Sequence, residues 1–280
     1  HEFMNQAWMS KATKEYAAPN ILEMIRSTNR RTNWVMHEIL SQQDLRARAA
    51  VMDKFIAIAA KCLAYHNFNA VMEIFAALQS SAIHRLKKTW ELLPPRAWTA
   101  FDMLSHFTNS EGNFLAYRDR LRTCLELSIP CVPYLGIYLT YLTFITDGNP
   151  NFITERQLIN FNKWRAMSAV VKEILVLQNR PMNFRPVRFI QEYITMYKHR
   201  TEDQLYDMSL TLEETREKKL TKEERATVDK LSREIFKEKQ QTRALRKVTP
   251  RDMVILQSAS NSPHIRGDSD SQHEGSLSGS

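Results

Sequence analysis

The sequence predicts an all-α, multi-helix fold, and three observations carry that prediction. Glycine is scarce: only Gly112, Gly136 and Gly148 occur before Pro250 in a chain of 280 residues. Sandwiches, barrels and nucleotide-binding α/β folds need glycine at tight turns and phosphate loops, so this scarcity favours helices. Apolar residues recur three and four apart over long segments. Proline pairs and Asn/Gly clusters then punctuate those segments at helix-length intervals.

From Pro19 to about Lys61 the helical spacing runs through Ile21, Leu22 and Ile25, then Val51, Phe55, Ile58, Ala59 and Cys62. Asn69 to Leu86 reads as another helix, with Val71, Ile74, Phe75 and Leu78 on its buried side. Pro94 and Pro95 stop the segment after Leu86, and a helix from about Arg96 to Phe107 begins beyond them. Asn109 to Asn113 reads as a turn, and Phe114 to Leu127 as helix again. Cys131 to Thr146 is rich in β-branched and aromatic residues, which admits a strand. Its length, between a proline start and Asp147-Gly148-Asn149-Pro150, also fits a helix ending at a glycine cap. Glu155 to Gln178 predicts a long helix, and Pro186 to Tyr197 and Glu202 to Leu212 two shorter ones.

Thr221 to Lys247 is a strongly charged helical segment with Val228, Leu231, Ile235 and Leu245 on a thin apolar stripe. Beyond Ser258 the chain is serine-rich and nearly free of large apolar side chains, the composition of a disordered tail. There is no internal repeat. Three regions result: a packed helical domain over 1–212, a charged helical extension over 213–257, and a tail over 258–280.

A net charge of +8 and a pI near 9.4 point to an acidic partner, which nucleic acid, an anionic membrane surface or an acidic protein would each supply, or to a solvated basic face. No phosphate-binding glycine motif occurs, so the chain is not expected to bind nucleotide itself. Cys62, Cys124 and Cys131 form an odd, scattered set, expected to be reduced thiols in a cytosolic protein. No apolar run reaches membrane-spanning length. The chain opens at His1-Glu2-Phe3-Met4 without a natural start, which reads as a fragment.

Enzyme chemistry finds little support. Cys131 with His84 or His106 lacks any protease motif, and it precedes Val132-Pro133 in an apolar stretch, where a structural cysteine is expected. No histidine is three or four residues from another, so neither a metal site nor a cofactor is predicted. No carboxylate pair stands out as an acid/base couple. Aromatics and cations interleave in His84-Arg85-Leu86-Lys87-Lys88-Thr89-Trp90, as in a nucleic-acid patch or a solvated helix face. Lys218 to Arg251 mixes both signs, as a helix with i, i+4 pairs does.

Five ordered blocks carry a resemblance. These are Ala18-Pro19-Asn20-Ile21-Leu22-Glu23-Met24-Ile25-Arg26; Asn67 to Ile74 with Ser80 to Trp90; Pro130 to Thr140; Asp147-Gly148-Asn149-Pro150 with Leu158 to Lys163; and Leu205 to Leu210. Together they resemble the catalytic domain of Ras-type guanine-nucleotide exchange factors, the RasGEF family, in its son-of-sevenless and Ras-guanine-releasing-factor types. The resemblance runs from about Phe3 to Leu212 and implies a multi-helix domain with a protruding helical hairpin. Its arms would be Tyr134 to Thr146 and Glu155 to Gln178. The family's domain begins some tens of residues earlier, so an exposed apolar surface is expected over the first helices.

The resemblance also implies a mechanism without covalent chemistry, in which the hairpin displaces part of a small GTPase and releases its nucleotide. Thr143 would point toward the magnesium site and Asp147 would place a carboxylate near the phosphates. The local sequence alone reads Asp147 as a turn residue. Thr143 stands where several members carry a bulkier aliphatic residue, and Asp147 is shorter than the usual glutamate. Ile25, Met72, Phe114, Tyr134 and Phe161 would form an apolar pocket for an aromatic residue of the GTPase, although each taken alone reads as core before interface. Arg26 and Gln79 would add polar contacts. The implied partner is a Ras-family GTPase, nucleotide-free and GDP-bound, met in the cytoplasm or at the inner face of a membrane. The segment after Leu212 would then touch anionic lipid, and nucleic acid is not expected. Two alternatives stand beside this: a GTPase-binding scaffold without efficient exchange, and a basic helical nucleic-acid-binding protein.

Overall fold

The computed structural model describes residues 1–153, 158–197 and 200–213. The charged extension beyond Glu213 and the serine-rich tail lie outside the described residues. A 3₁₀ segment at Met4–Met9 opens the chain, followed by α1 (Lys14–Ala17), α2 (Pro19–Leu40), α3 (Leu45–Ala64) and α4 (Phe68–Gln79). Then come α5 (Ser81–His84), α6 (Lys87–Glu91), α7 (Pro95–Thr108) and α8 (Leu115–Glu126). The last four are α9 (Leu135–Gly148), α10 (Phe161–Gln178), α11 (Arg188–Thr195) and α12 (Glu202–Leu212). Among the described residues there is no β-strand, and only two isolated bridges, Asn67 with Val132 and Phe152 with Ile159.

Local chemistry sets the helix starts. Asp44 accepts from the Ala47 amide and Asn67 from Ala70, while Thr201 and Gln204 form a reciprocal capping box on α12. Pro95 sits in the first turn of α7, where its missing N–H costs nothing. Two expected helices are interrupted. The Pro19–Lys61 segment breaks at Ser41 to Asp44, where Asp44 is extended and caps α3. The Asn69–Leu86 segment breaks at Ser80, whose ψ of 150° is extended and whose hydroxyl donates to Ala77 O. For Cys131–Thr146 the helix wins over the strand.

The core lies where α2, α3 and α4 pack on one another, with α7 against α3 and α4, and α12 against α2 and α5. Met52, Ile56, Phe68, Leu78, Ile83 and Leu104 are fully buried there. Such burial is worth about 1.5–3 kcal/mol per large side chain before chain entropy opposes it. The segment leading into α9 is tied to the start of α4, because Val132 O accepts from the Phe68 and Asn69 amides and Val132 N–H donates to His66 O.

A buried polar knot ties Glu213 to α3 and α6. Glu213 accepts from the Lys88 and Thr89 amides and the Thr89 hydroxyl, and Arg48 Nε donates to that hydroxyl oxygen. Arg85 donates to the carbonyls of Ser209 and Glu213. Glu213 therefore belongs to the packed body, one residue beyond the expected 1–212 domain. Over the first helices Met9, Tyr16 and Met24 are exposed. A denser exposed apolar run lies around α11, with Phe184, Val187, Phe189, Ile190, Tyr193 and Met196.

Candidate functional site

Helices α9 and α10 pack side by side, and this pair is the most distinctive local structure after the core. Inside the pair, the Tyr138 hydroxyl donates to Glu173 Oε1 at 2.6 Å. Burial is the main influence on the Glu173 carboxyl and pushes its pKa up, with the tyrosine bond opposing. The second arm starts later than expected. Helix α10 begins at Phe161, not Glu155, because Asn160 takes the N-cap and accepts from the Lys163 amide at 3.3 Å. Before it, Ile153 N–H donates to Leu158 O and Asn160 N–H to Asn151 O. Residues 154–157 lie outside the described residues.

The glycine cap expected for α9 is also corrected. Gly148 stays within the helix without a left-handed φ, and the cap residue is Asn149 in an extended conformation. Carbonyls left over at this end are satisfied by side chains instead: Asn149 Nδ2 donates to Ile145 O, and Lys163 Nζ to Thr146 O and Asn149 O.

Thr143 and Asp147 share one flank of α9, four residues apart. The Thr143 hydroxyl donates to Leu139 O at 2.9 Å, and Asp147 is exposed in the last turn. Sequence reasoning gave no sign of what meets them. The 3₁₀ segment lies against α9, with Gln6 Nε2 donating to Asp147 Oδ1 at 2.6 Å and the Met9 sulfur 3.8 Å from Thr143 Oγ1. Asn5 and Gln6 adopt left-handed φ values of 53° and 54° there, a strained backbone for side chains of this kind.

Tyr134 precedes α9 and is locked from two directions. Its amide donates to the fully buried Tyr117 hydroxyl at 3.1 Å. Its ring folds over Gly136 so closely that a Cβ there would fall 2.6 Å from Tyr134 Cζ. Tyr134 and Met72 line a half-open cavity of about 300 Å³ with Thr28, Thr32, Met36 and Glu73. The Glu73 carboxylate in its wall is buried and doubly paired, accepting from Arg31 Nε at 2.8 Å and Arg31 Nη2 at 2.6 Å. Asn69 Nδ2 adds a third bond to Glu73. Burial, and then the Glu73 charge, push the Tyr134 phenol up, so it stays a neutral hydroxyl.

The remaining candidates fall into two groups. Ile25 and Phe114 are half-buried against the same core as Met72 and Tyr134, but do not line the cavity. Phe114 carries a left-handed φ of 58° at the start of α8. Phe161, Arg26 and Gln79 are exposed: Phe161 lies under the Arg165 guanidinium at 5.4 Å, and Arg26 pairs with Glu15 at 2.5 Å. Sequence reasoning missed Glu73 and Arg31. Asn69 and Glu73 are an i, i+4 pair and legible as such, but Arg31 lies on a different helix, 42 residues away.

The other chemistries gain no geometry. Burial, with the neighbouring Cys124, pushes the Cys131 thiol up to about 12, which makes it a poor nucleophile. Among the described residues no group of three His, Cys, Asp or Glu could hold a metal ion. In the aromatic–cation run Trp90 is buried with its indole N–H on Ile83 O, and Arg85 is committed to carbonyls. No helix among the described residues is long and apolar enough to cross a membrane.

Comparison with known proteins decides the family. The model of the RasGEF domain matches residues 1–165, more than half of the chain. This chain belongs to the RasGEF family. Ras-specific guanine nucleotide-releasing factor 1 of Rattus norvegicus is 39% identical to it over 213 residues, which cover 76% of this chain and 17% of that protein. Ras-specific guanine nucleotide-releasing factor 2 of Danio rerio is 40% identical over 215 residues, covering 76% and 17%. Ras guanine nucleotide exchange factor M of Dictyostelium discoideum is 35% identical over 193 residues, covering 69% and 20%. The RasGEF chain thus spans about a sixth to a fifth of the length of these relatives. Its all-helical architecture agrees with the family assignment.

Proposed function

We propose that this RasGEF-family chain promotes GDP release from a Ras-family small GTPase by setting the α9–α10 pair beside the nucleotide site. The observation that supports this most is the family match over residues 1–165, which takes in α9 and the start of α10. The names of the relatives, Ras-specific releasing factors among them, favour Ras as the partner.

The mechanism is one of differential binding. A GTPase that holds nucleotide at nanomolar affinity retains it by about 12 kcal/mol. A factor that binds the nucleotide-free form preferentially weakens nucleotide, and nucleotide weakens the factor by the same factor. No bond is made or broken in this. Asp147, exposed at the end of α9, is the group suited to compete with phosphate for the GTPase's cationic and backbone donors. Thr143, one turn earlier, is suited to crowd the magnesium site. Tyr134 and Met72, which line the cavity, are suited to receive an aromatic residue of the partner, as a compact hot spot does. Encounter takes place in the cytoplasm or at an anionic membrane face, toward which the net charge of +8 is attracted.

One observation favours a second reading, a GTPase-binding scaffold with weak exchange: the Asp147 carboxylate is already engaged by Gln6. Release of a fluorescent GDP analogue from Ras, Rap and Ral separates the two. The exchange reading expects accelerated release from at least one of them. Tight binding of the nucleotide-free GTPase without acceleration selects the scaffold, and no binding to any sinks both.

A further inference from the structure

We propose that Lys163 is a positioning residue for nucleotide release: its ammonium ties off the last turn of α9 and so fixes where Asp147 stands. The proposal rests on the exchange reading above.

Lys163 stands where its own helix has no use for it. It is the third residue of α10, and a cation in a first turn faces the positive end of the helix dipole. It is also only 4% exposed, a costly place for an ammonium unless its protons find acceptors. The acceptors come from the other arm. Nζ donates to Asn149 O at 2.7 Å and to Thr146 O at 3.0 Å, at the negative end of α9.

Asn160, one turn earlier, completes the tie by donating from Nδ2 to Pro150 O at 3.0 Å while its Oδ1 caps α10. The start of α10 therefore grips the chain at 146, 149 and 150. Asp147 and Gly148 lie between those anchor points, both exposed, and nothing comes within 4 Å of the place of a Gly148 Cβ. The grip thus makes no bond to the carboxylate itself, whose Oδ1 accepts from Gln6 at the exposed surface, while fixing the backbone that carries it. Since α9 has no glycine cap, the carbonyls of Thr146 and Asn149 are held across the hairpin by Lys163. A local rule broken at a cost, next to a residue in line for function, is where a positioning role is expected.

The test uses the whole chain with Lys163→Met, which keeps the aliphatic stem and removes the ammonium. Release of fluorescent GDP from Ras is followed against factor concentration. The maximal rate is expected to fall about tenfold or more while the half-saturating concentration changes less than about threefold. Combined with Asp147→Ala, Lys163→Met is expected to add little, because residues acting as a unit are not additive. Amide hydrogen exchange over 146–150 is expected to speed up while α2 to α4 stay protected. A Lys163→Met chain as fast as wild type, an Asp147→Ala chain as fast as wild type, or effects of the two that multiply would each overturn the assignment.

Should the unsubstituted chain accelerate no GTPase, the exchange reading fails by itself. The hydrogen-exchange arm still judges the grip, and unchanged protection over 146–150 refutes it. Where Lys163→Met does not fold, Lys163→Arg, which keeps the charge but changes its reach, is measured in the same way, with wild-type rates and protection expected if charge at this point suffices, and loss of folding there as well rejecting a role confined to the tip.

Discussion

Tyr134 shows how much a single side chain depends on its neighbours. Its ring is held over Gly136 and its amide by Tyr117, so the phenol reaches the cavity in one fixed pose. Tyr134→Ala is expected to weaken binding of the nucleotide-free GTPase by about 2 kcal/mol or more, roughly 30-fold, with the helical circular dichroism unchanged. Gly136→Ala should act in the same direction without touching the tyrosine, because the new methyl takes the place of its ring; retained affinity in that variant would show that the pose does not matter. Glu173 makes a pH prediction. Its folded-state pKa is raised by burial above the ordinary 4.5, so within that window the folded chain holds more protons than the unfolded one. Stability contributed there falls as pH rises from about 4.5 through the raised value. Glu173→Gln should flatten that slope in urea melts, and a slope unchanged by the substitution would locate the effect elsewhere.

At the scale of elements, the hairpin differs from its sequence pattern at both ends of its turn. Apolar periodicity carries α10 back toward Glu155, but Asn160 offers the backbone a cap and the helix starts at Phe161. On the other arm, Gly148 invites a left-handed cap, yet Asn149 and Lys163 supply donors and the glycine stays helical. The 3₁₀ segment adds a contact no periodicity records, the bond from Gln6 to Asp147. A hydrogen bond to a charged group at such an exposed place is worth about 1 kcal/mol or less after solvent competition. Gln6→Ala should therefore speed nucleotide release by a few-fold at most, in stopped-flow traces with labelled GDP. Slower release would mean that Gln6 supports the tip and does not compete for it.

Over the whole molecule, the Arg48–Thr89–Glu213 knot joins the end of the described chain to α3 and α6. Arg48 and Glu213 are 2% and 8% exposed at their side chains, so removing one strands the other's charge inside. Glu213→Ala is expected to cost about 3–5 kcal/mol in denaturant unfolding, against about 0–1 kcal/mol for the exposed pair Arg30–Glu23. A loss as small as that of the surface pair would mean that water reaches the knot.

By itself the sequence determined the helical class, because that depends on residue type and spacing within a segment, and its five ordered blocks carried the resemblance to the family. Of the side expected to be buried on α4, Val71, Ile74 and Leu78 are buried and Phe75 is half-buried, and Asp44, Asn67 and Thr201 cap helices from their own chain neighbourhood. Only the tertiary structure decided that Arg31 would meet Glu73, that Gln6 would reach Asp147, and that Lys163 would close the end of another helix. Each of those pairs a polar group with one far along the chain. No period encodes them, since the partner of a buried donor is whichever acceptor packing brings within about 3 Å.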